Sequence, residues 1–396
     1  MRKWYSYLAF VDHRFSRAAR MELDSSFAGC RVEPCGSSGG TRLFNVELGD
    51  ADAAGRLNAC TFVDFAFRVD VSLTGYDNAR ICAAIASLSE ARAGGPIRLE
   101  VKNAGARLGM SAKSMEVALG QELERRGIAV DLGSPSTVFY AVFLRGSVII
   151  GHATAGSMPR GSMDAFRFAD SSAAGISRAG HKIREAVEFF GIDMSDVKSA
   201  LDIGAAPGGW TEFLLGRGAT VLAVDRASLD YAKLAALGKK ILVLVDDDDE
   251  RKAESAALSG LRGVDVGSLR DADGFGGYDI VHVMANLHDD ELRAELSKFG
   301  RFDMLAIDIN ESPAEAASVA AALSEELVRG APILITLKLT TMSIRKHMRD
   351  VEDALSDSYS SIRFKKLPHN RLEITVCGVN RPSRPSGAHP LPIHTI

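Results

Sequence analysis

Short apolar runs alternate with stretches of helical spacing through the second half of the chain. We predict seven strands there, at residues 199–203, 219–224, 241–245, 280–284, 304–309, 332–339 and 371–376. Strands that alternate with helices in this way are typical of a doubly wound, mostly parallel sheet. The pattern therefore predicts a Rossmann-like α/β domain with a seven-stranded sheet over residues 173–380.

The first 155 residues show a different pattern, in which strands follow one another more closely. Residues 1–75 predict one α+β module, and residues 76–155 predict a second one with a long apolar strand at 137–144. Residues 156–172 are rich in Gly and Ser and indicate a linker, and residues 381–396 have the composition of a disordered tail. The sequence thus predicts two small modules ahead of the α/β domain.

The composition is that of a globular protein without a membrane segment. The chain has 396 residues, 46% apolar residues and a mean hydropathy of +0.02. No run of 18 or more apolar residues indicates a membrane span, and the N-terminus does not resemble a signal peptide. Five cysteines are too few for a disulfide scaffold and do not form a zinc set, so we expect reduced thiols, no metal and a cytoplasmic protein.

The net charge of −4 is unevenly distributed. Between Asp246 and Glu295 there are 14 acidic and 5 basic side chains, so this segment carries −9 and the remainder +5. We interpret the acidic segment as a solvated loop face rather than a metal site. A basic face elsewhere, which an RNA-binding protein would need, therefore remains possible.

A glycine-rich turn follows the first predicted strand of the α/β domain. It reads Gly204-Ala-Ala-Pro-Gly-Gly-Trp210 and leads into a predicted helix. Such a turn presents backbone N–H groups and the positive end of the helix dipole to a ligand. Asp225 ends the next strand, where a carboxylate can accept hydrogen bonds from ribose hydroxyls. The spacing departs from Gly-x-Gly-x-x-Gly at Ala206, and no P-loop occurs, but a nucleotide-type cofactor site is predicted.

The segment from Asp202 to Gly209 resembles the first motif of S-adenosylmethionine (SAM) methyltransferases, Asp-x-Gly-x-x-Pro-Gly-Gly. The resemblance implies SAM as the cofactor. It also implies these cofactor-binding residues: Gly204, Ala205, Ala206, Pro207, Gly208, Gly209, Trp210, Asp225, Asp308 and, near the adenine, Asn286. Asn286 is the least regular of them, because such enzymes usually have an acid near this position.

The residues present limit the chemical classes of group that could accept the methyl. The Asp/Asn-Pro-Pro-Tyr/Phe signature of base amino-group methylases is absent, and Cys377 is the only cysteine after residue 82, which disfavours carbon-5 methylases. A ribose hydroxyl is a weak acid that needs a base and nearby positive charge. Lys338, in an apolar strand, could be that base if burial or another cation lowered its pKa.

Three further residues accompany Lys338: Lys182, in the helix ahead of the first strand, and the carboxylates Asp308 and Glu373. This order, around an Ala-Ala-Pro-Gly-Gly-Trp loop, is similar to that of the FtsJ-type 2′-O-ribose RNA methyltransferases. The resemblance implies that Lys338 is the base or the hydroxyl-activating residue and that Asp308 holds it and helps to place the methyl group. Lys182 and Glu373 would complete the catalytic cluster.

The second N-terminal module resembles a THUMP domain, an RNA-binding module of RNA-modifying enzymes. The residues that carry the resemblance are 97–102, Leu119-Gly120 and 130–135. Residues 1–75 would then be its ferredoxin-like companion. With this module in front, the FtsJ-type resemblance is nearest to the group that 2′-O-methylates a cytidine of bacterial large-subunit ribosomal RNA.

These resemblances imply a structured RNA as partner. Ribosomal RNA is favoured over transfer RNA, and we expect a monomer. An RNA-binding or ribosome-assembly factor without catalytic activity remains an alternative, whereas a small-molecule methylase would leave the N-terminal modules without a role.

Overall fold

The computed structural model describes residues 3–93, 95–154, 175–245, 261, 263–285, 295–339 and 343–381. The chain divides into two compact units, Met1–Asp170 and Ser171–Ile396. The predicted linker at 156–172, nearly all of the predicted tail and Asn286 lie outside the described residues. None of the described helices is both long and apolar enough to cross a membrane.

The described residues of the first unit form one sheet of seven strands in the order β2-β3-β1-β4-β7-β6-β5. Its strands are β1 (Tyr5–Asp12), β2 (Arg31–Ser38), β3 (Thr41–Leu48), β4 (Phe65–Thr74), β5 (Ile97–Asn103), β6 (Thr137–Leu144) and β7 (Ser147–Thr154). Its α-helices are α1 (Ser16–Ser26), α2 (Ala54–Ala59), α3 (Asn78–Ser87), α4 (Ser89–Arg92) and α5 (Ala112–Arg125). Because β4 pairs with β7, strands from both predicted modules belong to this one sheet. The division into ferredoxin-like and THUMP-like modules stays a prediction.

Strand β6 lies at the centre of the first unit's core. All eight of its residues are buried, because one face packs against α3 and α5 and the other against aromatic residues of β1 and β4. On the second face, the ring centroid of Tyr140 lies 4.9 Å from those of both Phe65 and Phe67. This double burial explains why 137–144 is a continuous apolar run rather than an alternating one.

In the second unit, the residues that the structure describes form a sheet of nine strands in the order β11-β10-β12-β9-β8-β13-β14-β16-β15. Its strands are β8 (Ser199–Ile203), β9 (Thr220–Val224), β10 (Ile241–Val245), β11 (Val264–Ser268), β12 (Ile280–Met284), β13 (Met304–Ile307), β14 (Pro332–Lys338), β15 (Tyr359–Lys365) and β16 (Glu373–Asn380). Its described α-helices are α6 (Ala179–Phe190), α7 (Gly209–Gly216), α8 (Tyr231–Ala236), α9 (Pro313–Ala322) and α10 (Ile344–Leu355). Pairing is parallel from β11 to β14 and antiparallel between β14, β16 and β15.

The prediction of seven strands was wrong in number, although all seven predicted strands are present. The two additional strands, β11 and β15, form the edges of the sheet. An edge strand leaves one side open to solvent and tolerates polar residues, so it lacks a strong apolar signal. In strand β15, for example, only Tyr359 and Lys365 are buried, and Ser361 and Arg363 are exposed.

The chain reverses its direction of travel across the sheet at β8. From β8 it proceeds to β9 on one side, and it later returns to β13 on the other side. In open α/β sheets, ligands bind outside the carboxyl ends of the strands at such a reversal. The glycine-rich turn after β8 and Asp308 after β13 therefore meet at the edge where a ligand is expected.

Candidate functional site

Gly204 brings the glycine-rich turn into contact with the end of β13. Its φ is +77°, which favours glycine, and a Cβ there would lie 2.8 Å from the carbonyl oxygen of Asp308. The same Cβ would lie 2.9 Å from Cγ2 of Ile309. No other residue would fit at this position without moving the backbone that carries Asp308.

Asp225, at the end of β9, braces the turn. Its Oδ2 accepts a hydrogen bond from the backbone N–H of Ala206 at 3.0 Å, and its Oδ1 accepts one from Ala227 at 2.8 Å. Each carboxylate oxygen retains capacity for a second donor. Asp225 can therefore both hold the loop and receive a ligand hydroxyl.

A cavity of about 560 Å³ lies at this edge of the sheet. Four of the predicted cofactor-binding residues line it: Gly204, Ala206, Asp225 and Asp308. Of the remaining ones, Ala205, Gly208, Gly209 and Trp210 are buried, and Pro207 is exposed. The cavity is also lined by residues that the sequence analysis did not select, Ala285, Arg226, Asn310 and Glu311 among them. Asn310 and Glu311 directly follow Asp308, so their positions in the sequence could have indicated them.

Asp202 is a buried carboxylate beneath the turn that the sequence analysis did not select as a site residue. It is 1% exposed, and its Oδ2 accepts a hydrogen bond from Oγ1 of Thr211 at 2.7 Å. Its Oδ1 has no hydrogen-bond partner among the described residues. Burial raises the pKa of Asp202 to about 7, with further contributions from the charges of Asp308 and Asp225. The first-motif pattern contains this residue and could have signalled it.

The four predicted catalytic residues come together in a closed ring, which we call the tetrad: Lys182, Asp308, Lys338 and Glu373. Lys338 Nζ donates to Asp308 Oδ1 at 2.6 Å and to Glu373 Oε1 at 2.9 Å. Lys182 Nζ lies 3.5 Å from Asp308 Oδ2 and 2.7 Å from Glu373 Oε2. The two positive and two negative charges alternate, and each carboxylate contacts both lysines.

Different elements supply the members of the tetrad. Lys338 and Glu373 are cross-strand partners at the end of the β14–β16 pair, and Asp308 follows β13. Lys182 lies in the first turn of α6. All four side chains are less than a quarter exposed, so solvent screens their charges only partly.

The carboxylates determine the charge state of Lys338. Burial works against its ammonium form, but Asp308 and Glu373 outweigh burial and raise the pKa of Lys338 above its ordinary value. For Glu373, burial is likewise outweighed by Lys182 and Lys338, which lower its pKa. From the sequence we expect Lys338 to act as the base if its pKa is lowered. The structure contradicts that condition, because it places two anions, rather than a cation, next to Lys338.

A second set of contacts joins the elements that carry Lys182 and Glu373. Glu185, one turn after Lys182, is 4% exposed. Its carboxylate contacts His369, with Oε1 2.6 Å from Nδ1 and Oε2 accepting the backbone N–H at 3.0 Å. His369 precedes β16, which begins at Glu373. Sequence reasoning missed this pair because an acid on a helix gives no sign of its partner in a distant loop.

Among the described residues, no group of three or more His, Cys, Asp or Glu side chains is arranged to hold a metal ion. The cavity and the tetrad share Asp308, so a ligand in the cavity would adjoin the lysines. Residues 176–344, which span the turn and three of the four tetrad residues, match the family model described as FtsJ-like methyltransferase. This stretch of the chain is therefore similar to FtsJ-like methyltransferases.

Two curated relatives extend this comparison. Ribosomal RNA large subunit methyltransferase E of Thermoplasma acidophilum is 37% identical over 90 residues, which cover 23% of this chain and 43% of the relative. The aligned part thus spans less than half of that relative. Ribosomal RNA large subunit methyltransferase M of Pseudomonas putida strain GB-1 is 26% identical over 321 residues, covering 76% of this chain and 75% of the relative. Among solved structures, TrmN from Thermus thermophilus is 14% identical over 96% of this chain and all of that chain, with a TM-score of 0.34.

Proposed function

We propose that this protein transfers a methyl group from SAM to a ribose 2′-hydroxyl of large-subunit ribosomal RNA. The observation that carries the proposal is the tetrad, a closed ring of two lysines and two carboxylates beside the cavity at the carboxyl ends of the strands. A weakly acidic hydroxyl needs a proton acceptor and nearby positive charge at the same place, and the tetrad offers both.

The cavity has the chemistry that SAM requires. Asp225 can accept hydrogen bonds from ribose hydroxyls, and Gly204 and Ala206 line the cavity, so a ligand can approach the backbone of the turn. Asp308 places negative charge where the cavity meets the tetrad, which suits a sulfonium cation. When bound, SAM would supply an electrophilic methyl group to the hydroxyl oxygen.

Each tetrad residue has a separate task in this proposal. Lys338, in its neutral form, would accept the proton of the 2′-hydroxyl as the oxygen–methyl bond forms and the bond between the methyl group and the SAM sulfur breaks. Asp308 and Glu373 hold its Nζ in place through the hydrogen bonds of 2.6 and 2.9 Å. Lys182 offsets their negative charge. Because the carboxylates raise the pKa of Lys338, the resting site must release one proton before Lys338 can act as a base.

The relatives' names support ribosomal RNA as the substrate, since both are large subunit ribosomal RNA methyltransferases. We propose that the first unit, with its ferredoxin-like and THUMP-like modules, holds the structured RNA. The target nucleotide would be unstacked to reach the tetrad, as in other enzymes that act within folded nucleic acids. A cytoplasmic location is part of the same proposal and rests on the cysteine content.

The deciding experiment incubates the purified protein with tritiated-methyl SAM and total RNA from cells that lack this gene. The labelled RNA is separated by size and then digested with alkali. Label in large ribosomal RNA that survives as an alkali-resistant dinucleotide supports the proposal, because a 2′-O-methyl group blocks cleavage at that ribose. Label in RNA of transfer-RNA size would show that the substrate is transfer RNA and not ribosomal RNA. SAM binding without label in any RNA would favour the non-catalytic alternative.

A further inference from the structure

Helices α6 and α7 leave a second cavity between them, of about 420 Å³, which we call the α6–α7 groove. Its α6 wall carries His181, Arg184 and Glu188, whose spacing of three and four residues places them on one helix face. Its other wall carries Phe213 of α7 and Arg217, which directly follows that helix. The volume is within the range of small-molecule sites.

The groove adjoins both parts of the candidate active site. His181 is the chain neighbour of Lys182, so one turn of α6 serves the groove and the tetrad. Gly180 and Gly209, which also line the groove, lie so close that a Cβ on Gly180 would be 3.1 Å from the carbonyl oxygen of Gly209. Gly209 belongs to the glycine-rich turn, so a ligand in the groove would lie near both the tetrad helix and the cofactor loop.

Two guanidinium groups in the groove are available to an anionic ligand. Arg184 and Arg217 are exposed, and neither forms an ion pair with another residue in the described part of the chain. The Arg217 guanidinium lies over the Phe213 ring, 5.1 Å from its centroid. Of the acids that line the groove, Glu212 accepts the backbone N–H of Ile176 at 2.8 Å. Guanidinium groups bind phosphate oxygens through paired hydrogen bonds.

The groove also presents an immobilised aromatic ring. The imidazoles of His181 and His369 are stacked, with centroids 5.0 Å apart and an interplanar angle of 15°. His369 is in turn held by Glu185. Burial, His369 and Arg184 lower the pKa of His181, so its ring is neutral near pH 7. Unpaired RNA bases stack on such rings and on guanidinium planes.

We propose that the α6–α7 groove binds an unpaired nucleotide of the RNA substrate next to the nucleotide that is methylated. Its phosphate contacts Arg184 and Arg217, and its base packs against His181. The inference rests on the proposed function and adds a specific contact to it. Holding the neighbouring nucleotide would determine which 2′-hydroxyl reaches Lys338.

The test uses the full-length protein and large-subunit ribosomal RNA from cells that lack this gene. For Arg184→Ala/Arg217→Ala we expect at least a tenfold increase in the RNA dissociation constant. We also expect the slope of log affinity against log salt concentration to fall by about 1, because the cations that neutralise one phosphate are lost. The SAM dissociation constant should change less than twofold. The double Arg→Lys variant keeps both charges and should retain most of the affinity.

Arg301→Ala/Arg329→Ala is the matched control, because it removes two exposed arginines next to the amino ends of β13 and β14, at the opposite edge of the same sheet. It should bind RNA like the wild type. If the two alanine variants bind RNA equally well while the wild type methylates it, the groove proposal is wrong and the proposed function stands. If the wild type labels no RNA, the proposed function fails first, and the groove proposal fails with it.

Photocrosslinking tests the position of the bound nucleotide. Once the methylated nucleotide is mapped, a 4-thiouridine is placed beside it in the RNA, and crosslinked peptides are identified. We expect crosslinks in α6 or α7. Crosslinks confined to the first unit would overturn the proposal even if the arginine variants bind RNA weakly.

Discussion

Lys338 and Glu373 face each other directly in the antiparallel β14–β16 pair, and the Lys338 ammonium donates a hydrogen bond to the carboxylate at 2.9 Å. A cross-strand pair of opposite charges is common in sheets. This pair is unusual because Asp308 and Lys182 close it into a ring at the carboxyl edge of the parallel strands. The ring stabilises the charged form of the lysine that is proposed to act as the base.

The pH dependence of methyl transfer should reveal the charge state that Lys338 needs. Its pKa is raised, so the neutral fraction near pH 7 is small and grows tenfold for each pH unit. We expect the single-turnover rate at saturating SAM and RNA to rise with a slope near one between pH 7 and 9.5. No plateau should appear below the ordinary lysine pKa of about 10.4. A rate that is flat over this range would contradict the base role and indicate that the ammonium acts electrostatically.

Substitutions of Lys338 separate the same two roles. Lys338→Ala and Lys338→Arg should both lower the rate by about 10²–10⁴-fold, because arginine keeps the charge but cannot accept the proton. The SAM dissociation constant should stay within about twofold of the wild-type value. Lys198→Ala, at the amino end of β8 and exposed, is the control and should retain full activity. Substantial activity in Lys338→Arg would exclude proton transfer to this residue.

Gly204 should be indispensable for a steric reason that Gly218 does not share. Both have positive φ, +77° and +89°, so alanine costs each about 1–2 kcal/mol of folding free energy. A Cβ at Gly218 meets nothing within 4 Å, whereas at Gly204 it meets the Asp308 carbonyl at 2.8 Å. Gly204→Ala should therefore lose more thermal stability and weaken SAM binding more than tenfold. Gly218→Ala should lose thermal stability but keep its affinity for SAM. Equal SAM affinities in the two variants would contradict this account.

The sequence was sufficient to predict which residues lie together at the candidate site. Parallel strands share one carboxyl edge, so residues that follow β8, β9 and β13 had to lie together, and Asp225 and Asp308 line the same cavity. Lys338 and Glu373 were conspicuous because charged residues are rare in apolar strands. The four tetrad residues could be chosen because they match the order of a known family.

The sequence could not predict features that depend on contacts between distant segments. The direction of the Lys338 pKa shift depends on its distances to two carboxylates, which no spacing in the sequence gives. Glu185 and His369 form a buried contact between a helix and a remote loop. Strands β11 and β15 were missed because edge strands carry polar residues. The α6–α7 groove arises only from the way two helices pack.

Asp202 should reduce the stability of the folded protein at alkaline pH. Its folded-state pKa of about 7 exceeds the ordinary value of 3.8, so the folded state holds a proton that the unfolded state has released. The contribution of Asp202 to the free energy of unfolding therefore decreases as the pH rises from about 4 to 7. Asp202→Asn should be more stable than the wild type at pH 8, by up to about 4 kcal/mol, and similar to it near pH 4.

Urea unfolding of wild type and Asp202→Asn at both pH values tests this prediction. Thr211 can still donate its hydrogen bond to the amide oxygen, so the substitution removes the charge with little change in shape. A variant that is less stable than the wild type at pH 8 would show that the buried carboxylate is stabilised by contacts beyond the one with Thr211.

His282 should make the protein sensitive to acid. It is fully buried, its Nδ1 lies 2.7 Å from the Tyr231 hydroxyl, and its Nε2 lies 3.2 Å from the Asp225 carbonyl oxygen. Burial lowers its pKa to about 4, so the neutral ring is the folded form. The contribution of His282 to the free energy of unfolding is full above the unfolded-state pKa of about 6.5. It decreases as the pH falls toward 4.

Because of His282, the free energy of unfolding should be about 2 kcal/mol lower at pH 5 than at pH 7.5. His282→Gln should be less stable than the wild type at pH 7.5, because its hydrogen bonds are disturbed, but should lose less stability between pH 7.5 and 5. In a Trp4→Phe background, Trp210 is the only tryptophan left, so its fluorescence follows unfolding of the second unit. His13→Gln, which alters an exposed histidine of the first unit, is the control. If the pH dependence of the His282 variant equals that of the wild type, another group causes the acid sensitivity.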